Sequence, residues 1–426
     1  MTPSSVRRLL GPVKFRPVKF GPAALAIVGA SLVMSAAMGA RQSFGLFLGP
    51  FSFDHGLPVT LIAFAIALHN LVWGVAQPFA GAAADRFGAA PVVAAGALLF
   101  AAGLGLAAIM PTGPMLVLGL GVLVGIGISG TSFGVVLSAV GRQAAPERRS
   151  MALGLASAGG SLGQVGLVPL VQWAADGSGT GAALLLLAGC ALAVAPLGLL
   201  LDRRSGAGGP AAPTAAPMPL RAALAGALGH RGYRLLTLGF FTCGFQLAFI
   251  ATHLPAYLAT CQMPAALGAT ALAAIGLFNM AGSWACGWLG GRLRPQRVLG
   301  WLYLLRGIVI AAFFLGPKTE WTVLLFAAAM GLMWLGTVPL TNGLIARVFG
   351  VRHLGTLFGI VFLSHQVGSF LGAWMGGWVF DATGSYAAIW IATAVAGLVA
   401  ALLHFPIDDR AVPEPTGLPV AGRAVL

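Results

Sequence analysis

The sequence predicts an all-α polytopic membrane protein with twelve transmembrane helices. Of its 426 residues, 58% are hydrophobic and only 8% are charged, and the mean hydropathy is +0.92. A soluble domain of this length cannot bury so much apolar surface. The apolar residues fall into stretches of about 20, the length a helix needs to cross a hydrocarbon core of ~30 Å. The composition therefore excludes a soluble globular fold.

Twelve apolar stretches follow one another along the chain, separated by short polar or Gly/Pro-containing segments. Each is long enough to cross the membrane once as a helix. The predicted spans are 23–48, 58–80, 90–110, 114–140, 151–173, 181–201, 233–258, 265–287, 298–316, 321–346, 355–380 and 385–405.

One long connection, from Ser205 to Tyr233, divides these spans six and six. Its first half is a Gly/Pro/Ala linker, and its second half is predicted to form a short helix on the inner surface. The predicted organisation is therefore a six-helix bundle at 1–204, a cytoplasmic linker at 205–231, a second bundle at 232–406 and a cytoplasmic tail at 407–426.

The positive charges lie almost entirely on one side of the predicted membrane. If both termini are cytoplasmic, 21 of the 24 Lys and Arg residues face the cytoplasm; Arg41 and Arg306 lie within helices, and Lys318 lies in an outer loop. This partition follows the positive-inside rule and supports twelve uncleaved helices. The net charge of +14 is thus explained by topology, and no basic stripe on a soluble module indicates nucleic-acid binding.

The two halves repeat short motifs in the same order at an offset near 205. The alignment pairs Arg41 with Gln246, Thr131 with Thr337, and Gln164 with Gln366. It also pairs GAAADRFG, which begins at Gly81, with GWLGGRL in the second half. Four ordered matches predict two pseudo-symmetric bundles.

This layout and the GAAADRFG segment resemble the major facilitator superfamily. Gly81, Asp85, Arg86 and Gly88 match the superfamily's loop between the second and third helices. The resemblance implies alternating access between two bundles, with Asp85 and Arg86 helping to close the cytoplasmic gate. The basic residues that usually end this loop are absent, because Ala89, Ala90 and Pro91 follow the last glycine.

Within the superfamily, the first helix resembles the monocarboxylate and oxalate/formate branch, since Arg41 is followed by SFGLFL. The marks of proton-driven drug antiporters are missing: the fourth helix has no arginine, and the fifth has no Gly-Pro pair. The branch usually carries a further basic residue in the eighth helix, where this chain has Asn279.

Arg41 is the first candidate for substrate binding. An ionised side chain within a membrane helix costs about 2.5–3.5 kcal/mol on insertion scales, and such residues usually face a cavity or a partner. All ten carboxylates fall in loops or tails of the predicted topology, so the interior field is positive. A guanidinium binds a carboxylate through two parallel hydrogen bonds. The pattern favours a small organic anion, although a guanidinium that is satisfied by helix carbonyls or that snorkels outward explains it too.

Polar residues at helical spacing indicate what else lines the substrate cavity. The resemblance implies that the first, fourth, seventh and tenth helices surround the substrate. Interhelical hydrogen bonding is the alternative for each residue, and it is the preferred explanation for Arg306, about nine residues beyond Arg297 on a helix that is usually peripheral. The candidate lining residues are Gln246, His253, Tyr257, Trp334, Thr337, His69, Asn279 and Gln366.

The sequence thus favours a secondary transporter of a monocarboxylate-like anion, working as a proton symporter or an anion exchanger. Protons would ride on His69, His253 or His365, or on the substrate itself. The main alternative is an exporter of hydrophobic or amphipathic compounds. A remote alternative, an intramembrane serine protease, would need Ser129 and His365 from opposite halves to meet.

The sequence contains no cofactor-binding or metal-binding motif and no P-loop, and the four cysteines have no paired spacing. The expected partners are the lipid bilayer, a small-molecule anion and protons, for a protein that works as a monomer. The abundance of Ala and Gly favours a bacterial cytoplasmic membrane.

Overall fold

The computed structural model describes residues 22–143, 149–202, 220–350 and 354–411. Within these ranges the structure is entirely helical apart from turns and short connections. The main helices are α1 (Ala24–His55), α2 (Val59–Phe87), α3 (Ala89–Ile109), α4 (Gly113–Gln143), α5 and α6 (149–178 and 180–201), α7 (Arg231–Thr260), α8 (Ala265–Arg292), α9 (Pro295–Leu315), α10 (Glu320–Phe349), α11 (Leu354–Thr383) and α12 (Ala387–His404).

Eleven continuous helical segments of the described chain are long and apolar enough to cross a membrane. One of them, Ala152–Leu201, has 50 residues and would extend about 75 Å if it were straight, which is far more than one crossing needs. Gly179 interrupts it with non-helical angles, φ 84° and ψ 170°. The segment therefore contributes two crossings, α5 and α6, and the prediction of twelve transmembrane helices is confirmed.

Residues with strong local preferences mark the helix ends. Gly56 takes a left-handed conformation, with φ 63°, where α1 stops, and Pro58 immediately precedes α2. Pro264 precedes α8 in the same way. Thr319 begins α10 with a capping box, in which its side chain and that of Thr322 each accept a main-chain N–H of the other residue. These local signals explain why the predicted starts of α2, α8 and α10, at 58, 265 and 321, lie within one residue of the observed ones. The ends of α1 and α2 lie seven residues beyond the predicted 48 and 80.

Large apolar side chains cover the outside of the bundle. Exposed tryptophans lie near helix ends at both sides of the molecule: Trp173, Trp321 and Trp378 at one side, and Trp284, Trp288 and Trp301 at the other. Tryptophan favours the two membrane interfaces, where its ring is apolar and its N–H meets water. We use "inner" for the side that carries the predicted cytoplasmic charges and "outer" for the opposite side.

Helices pair both within and between the two halves. In the first half α1 packs along α5, and in the second half α7 packs along α11 in the corresponding way. Two further pairs join the halves, α2 with α11 and α5 with α8. The two halves therefore meet along the α2–α11 and α5–α8 pairs. On the outer side, α1 of the first half also contacts α7 of the second. The exact division at 204 and 232 stays a prediction, because residues 203–219 lie outside the described ranges.

Candidate substrate site

Arg41 lies one turn before a short 3₁₀ segment, Phe44–Phe47, in the outer half of α1. It is half-buried, and its Nε and Nη2 atoms both donate to Oδ1 of Asn70 on α2, at 3.4 and 3.2 Å. The guanidinium carbon also lies 5.7 Å from the centre of the Trp73 ring. No carboxylate is among these contacts, so the positive charge faces an amide oxygen and an aromatic ring.

The Trp73 ring is held rigidly beside Arg41. Its indole Nε1 donates to Oε1 of Gln77 at 2.7 Å and to Oγ of Ser132 at 2.9 Å. Phe362 of α11 meets the ring edge-on, with 5.4 Å between ring centres. Ser132 lies where α4 is interrupted, in an extended conformation between Thr131 and a second helical segment. This wall therefore combines α2, α4 and α11.

A second break lies in α10, between helical segments Glu320–Leu332 and Thr337–Phe349. The sequence alignment pairs Thr131 with Thr337, and the two interruptions lie beside these two threonines. Discontinuous helices near the midplane are common at transporter binding sites because they free main-chain groups from the helix. A single continuous span was predicted at 321–346, so this break was missed. The local signals for it are Gly331 and Gly336 on either side and Pro339 in the first turn of the second segment.

Arg306 of α9 satisfies the carbonyls that this break leaves free. Its guanidinium is fully buried and donates to the main-chain oxygens of Met333 and, at 3.1 Å, Trp334. It also reaches Oε1 of Gln246 at 3.4 Å and Sγ of Cys243 at 3.5 Å. The geometry agrees with the predicted packing role. However, Arg306 contacts two candidate site residues, Gln246 and Trp334, which its supposedly peripheral helix did not suggest.

Asn279 of α8 holds the same break from the other side. Its Oδ1 accepts the main-chain N–H of Leu335 at 3.0 Å, while its Nδ2 donates to Oγ of Ser161 on α5 at 3.1 Å. The second of these bonds crosses between the two halves. Gln246, Trp334, Thr337 and Asn279 are thus brought together around the α10 break, and Thr337 adds a contact of 3.3 Å to Cys243.

Gln366 connects Arg41's partner to the second half of the molecule. Its Nε2 donates at 3.0 Å to the main-chain oxygen of Asn70, and its Oε1 lies 3.0 Å from Nδ1 of His365. Gly74 allows this approach: a Cβ there would lie 2.8 Å from the Gln366 side chain. Asn70 was not predicted as a site residue, because an asparagine in the middle of a long apolar span has no distinguishing local pattern.

The remaining candidates lie in other surroundings. His69 is buried, with Phe44 edge-on to its ring at 5.3 Å, and neither ring nitrogen has a hydrogen-bond partner in the described structure. His253 contacts the carbonyl of Ala373 through Nε2 at 2.6 Å. Tyr257 packs in an aromatic cluster with Phe313, Tyr386 and Trp390. The structure gives His253 and Tyr257 no contact with Arg41, and their role in substrate binding stays a prediction.

A family model described as the Major Facilitator Superfamily matches residues 30–342 and 287–425, which together cover most of the chain. The chain belongs to the major facilitator superfamily. It is 26% identical over 396 residues to Monocarboxylate transporter 13 of Rattus norvegicus, covering 89% of each chain. It is 30% identical over 372 residues to Monocarboxylate transporter 11 of Homo sapiens, covering 85% of this chain and 77% of the relative.

Solved structures support the same fold at low sequence identity. A bacterial homologue of the human lysosomal transporter Spinster, in an inward-facing and occupied conformation, has a TM-score of 0.72 at 15% identity, covering 93% of this chain and all of the other. A D-xylose-proton symporter has a TM-score of 0.69 at 14% identity, covering 92% of this chain and 99% of the other. Membership of the major facilitator superfamily, which the family model shows, makes this protein a secondary transporter rather than an enzyme.

The superfamily's loop between α2 and α3 is closed by a residue the sequence analysis did not select. Asp202, at the end of α6, accepts the main-chain N–H groups of Ala89 and Ala90 at 2.6 and 2.8 Å, which caps α3. Gly88 has φ 94° and lies against this carboxylate, so a side chain there would be both strained and obstructed. Arg86 lies over the Phe87 ring at 5.1 Å. The side chain of Asp85 is outside the described structure, so its gating role stays a prediction.

The outer side of this superfamily member is closed between the two halves. A Cβ on Gly45 of α1 would lie 2.2 Å from the carbonyl oxygen of Ala251 on α7, so the two main chains touch. On the same side of the membrane, Oδ2 of Asp381 on α11 accepts both the main-chain N–H and the hydroxyl of Thr60, at 2.7 and 2.6 Å. Asp381 thereby caps the N-terminus of α2 from the opposite half.

Replacing Asp381 with asparagine is expected to shift the protein towards the outward-open state. The variant loses a charge-assisted cap on α2, and a helix cap contributes about 1 kcal/mol, so the closed-to-open ratio should fall about fivefold. Spin labels on cysteines introduced at Phe53 and Gln262, which are exposed at the outer side of the two halves, report this ratio as a distance distribution.

Asp176→Asn is the matched control for Asp381→Asn. Asp176 also lies at the outer side, but its described hydrogen bond is to Gln172 of its own helix. The control should keep the wild-type distance distribution. An equal shift in both variants would show that Asp381 does not hold the halves together.

Proposed function

We propose that this transporter carries a small monocarboxylate, bound through Arg41, by proton symport or by exchange for another anion. The main observation behind this proposal is that the half-buried guanidinium of Arg41 contacts Asn70 and Trp73 but no described carboxylate. A buried charge needs a partner, and a substrate carboxylate supplies one. The resemblance to proteins named monocarboxylate transporters supports the same class of cargo.

The surroundings of Arg41 favour a small acid. Trp73 lies beside the guanidinium and Phe362 packs edge-on against Trp73, so an acid bound at Arg41 would have an aromatic side chain next to its carboxylate. A guanidinium holds a carboxylate in one plane through two hydrogen bonds, which orients the rest of the molecule. Both features suit an acid with a single carboxylate and a short apolar body.

The proton route has one structural candidate beside the site. His69 precedes Asn70 on α2, and neither of its ring nitrogens has a hydrogen-bond partner among the described residues. His253 and His365 are engaged with the Ala373 carbonyl and with Gln366. A triple variant lacking all three histidines separates the coupling modes. If symport uses a histidine, the triple variant should lose proton-driven uptake. If the protein is an exchanger, the triple variant should exchange acids at the wild-type rate.

We also propose that both termini face the cytoplasm and that a monomer is sufficient for transport. The charge partition supports the orientation, because the inner side carries nearly all Lys and Arg residues. A bacterial cytoplasmic membrane suits the composition. Protease protection of terminal tags in oriented vesicles tests the orientation.

Uptake into proteoliposomes tests the substrate class directly. Labelled acetate, lactate, pyruvate, oxalate and succinate are offered with and without an imposed pH gradient. Replacing Arg41 with glutamine should reduce the apparent affinity for the transported acid at least a hundredfold, since two hydrogen bonds to a charged group are lost. Stimulation by the gradient indicates symport, and stimulation by internal acid indicates exchange.

Arg297→Gln serves as the control for Arg41→Gln, because Arg297 is exposed at the inner end of α9. It should transport at the wild-type rate. Failure of the wild-type protein on every acid would refute the carboxylate proposal. Loss of resistance to amphipathic compounds on deletion would then favour the exporter alternative.

A further inference from the structure

Asn70 is placed unusually for an asparagine inside a membrane helix. It is 2% exposed, and its Oδ1 accepts from two nitrogens of Arg41, Nε and Nη2. Its amide nitrogen donates to the main-chain oxygen of Ile66 on its own helix, at 3.3 Å. The donor end of the amide is thus used within α2, and this leaves the acceptor end turned to the guanidinium.

The two nitrogens that Asn70 occupies form one edge of the guanidinium. That edge presents two parallel N–H groups, which is the arrangement a carboxylate binds through its two oxygens. Asn70 offers a single neutral oxygen at 3.2–3.4 Å, whereas a hydrogen bond between charged partners is usually 2.7–2.9 Å long. The hydrogen bonds between Asn70 and this edge of Arg41 are therefore weak, and a carboxylate would form stronger ones.

The main chain of Asn70 is fixed from the other half of the molecule. Gln366 of α11 donates to the Asn70 carbonyl oxygen at 3.0 Å, and Gly74, one turn further along α2, lies against the Gln366 side chain. The position of the Oδ1 atom therefore depends on how α2 and α11 meet. Asn70 therefore contacts both the guanidinium of Arg41 and Gln366 of the other half.

We infer that Asn70 occupies the carboxylate-binding edge of Arg41 in the empty site, that the substrate carboxylate displaces it, and that Asn70 thereby sets the affinity for the acid. The inference depends on the proposed function, since it needs a carboxylate at Arg41. Asn70 is a specificity-determining residue in this scheme. Its side-chain oxygen accepts the hydrogen bonds of the guanidinium when no substrate is bound, and a ligand with a full negative charge replaces it.

Two substitutions at Asn70 should act in opposite directions. Asn70→Ala removes the competitor, so the concentration of labelled acid that half-saturates uptake should fall about two- to tenfold. Asn70→Asp places a permanent carboxylate on the same edge, so the apparent affinity for the acid should fall at least a hundredfold, as predicted for Arg41→Gln. Asn342→Ala and Asn342→Asp are the matched controls, because Asn342 bonds only to the carbonyl of Val338 on its own helix in the described structure.

A second measurement needs no substrate. Thermal unfolding of the wild-type protein, Arg41→Gln, Asn70→Asp and the double variant forms a cycle that reports how strongly positions 41 and 70 interact. We expect Asn70→Asp to raise the melting temperature when Arg41 is present and to lower it when Arg41 is replaced. Additive shifts would overturn the inference.

The outcomes separate the two proposals. If the wild-type protein takes up none of the acids but the cycle shows coupling, the proposed function fails while the contact between positions 41 and 70 stands. If the wild-type protein transports an acid and Asn70→Asp keeps its uptake, the inference fails while the proposed function stands. An unchanged or raised half-saturation concentration in Asn70→Ala would also overturn the inference.

Discussion

Replacing Arg306 with methionine is expected to lower the free energy of unfolding by about 2–4 kcal/mol. The guanidinium is fully buried, and it supplies the donors for the Met333 and Trp334 carbonyls at the α10 break and for Gln246. Methionine fills a similar volume but donates nothing, so these acceptors are left unsatisfied away from water, at about 1–3 kcal/mol each before relaxation. Denaturant unfolding in a fixed detergent measures the loss.

Two further variants serve as comparisons for the stability of Arg306→Met. Arg297→Gln, on an exposed turn of the same helix, should change the free energy of unfolding by less than about 0.5 kcal/mol. Arg306→Lys keeps the charge but loses the planar fork, so it should recover part of the stability. Equal stability of Arg306→Met and Arg297→Gln would contradict the assignment of Arg306 to the α10 break.

Valine in place of Gly45 is expected to stop transport almost completely, with turnover reduced more than tenfold. The main chains of α1 and α7 touch at this position, since a Cβ would lie 2.2 Å from the Ala251 oxygen and 2.7 Å from the Thr252 oxygen. Main-chain atoms cannot rotate away as a side chain can. The outer side therefore cannot close, and alternating access needs both sides to close in turn.

Gly49→Val is the control for Gly45→Val. Gly49 lies one turn further along the same helical segment, and a Cβ there meets nothing within 4 Å. Its turnover should match the wild type. The spin-label pair at Phe53 and Gln262 should report a longer outer distance in Gly45→Val and an unchanged one in Gly49→Val. Full turnover in Gly45→Val would show that this contact is not part of the cycle.

The sequence predicted the features that depend on local composition. Hydropathy and charge partition were sufficient for twelve helices, because membrane insertion is decided segment by segment. Arg41 was found for the same reason, as a charge inside an apolar stretch. Even the division between α5 and α6 was visible, since Gly177 and Gly179 separate two apolar runs.

The contacts between helices could not be predicted from the sequence. Trp334 and Gln246 were chosen by helical spacing, but the residue that joins them, Arg306, belongs to a helix that the resemblance made peripheral. Asn70 gave no periodic signal, and its importance depends entirely on Arg41 and Gln366 on two other helices. Such partnerships depend on how helices rotate about their axes, which an all-round apolar helix does not reveal.

If a monocarboxylate binds at Arg41 as we propose, the charge of Arg41 also makes transport depend on the membrane voltage. Its described contacts include no carboxylate, so the empty site is cationic, and a bound monocarboxylate makes it neutral. A membrane potential acts on the Arg41 charge of the empty carrier with up to about 2.3 kcal/mol per 100 mV, and a bound carboxylate cancels this contribution. A potential negative inside would hold the empty carrier facing inward. It would therefore slow net uptake while leaving the exchange of one acid for another unchanged.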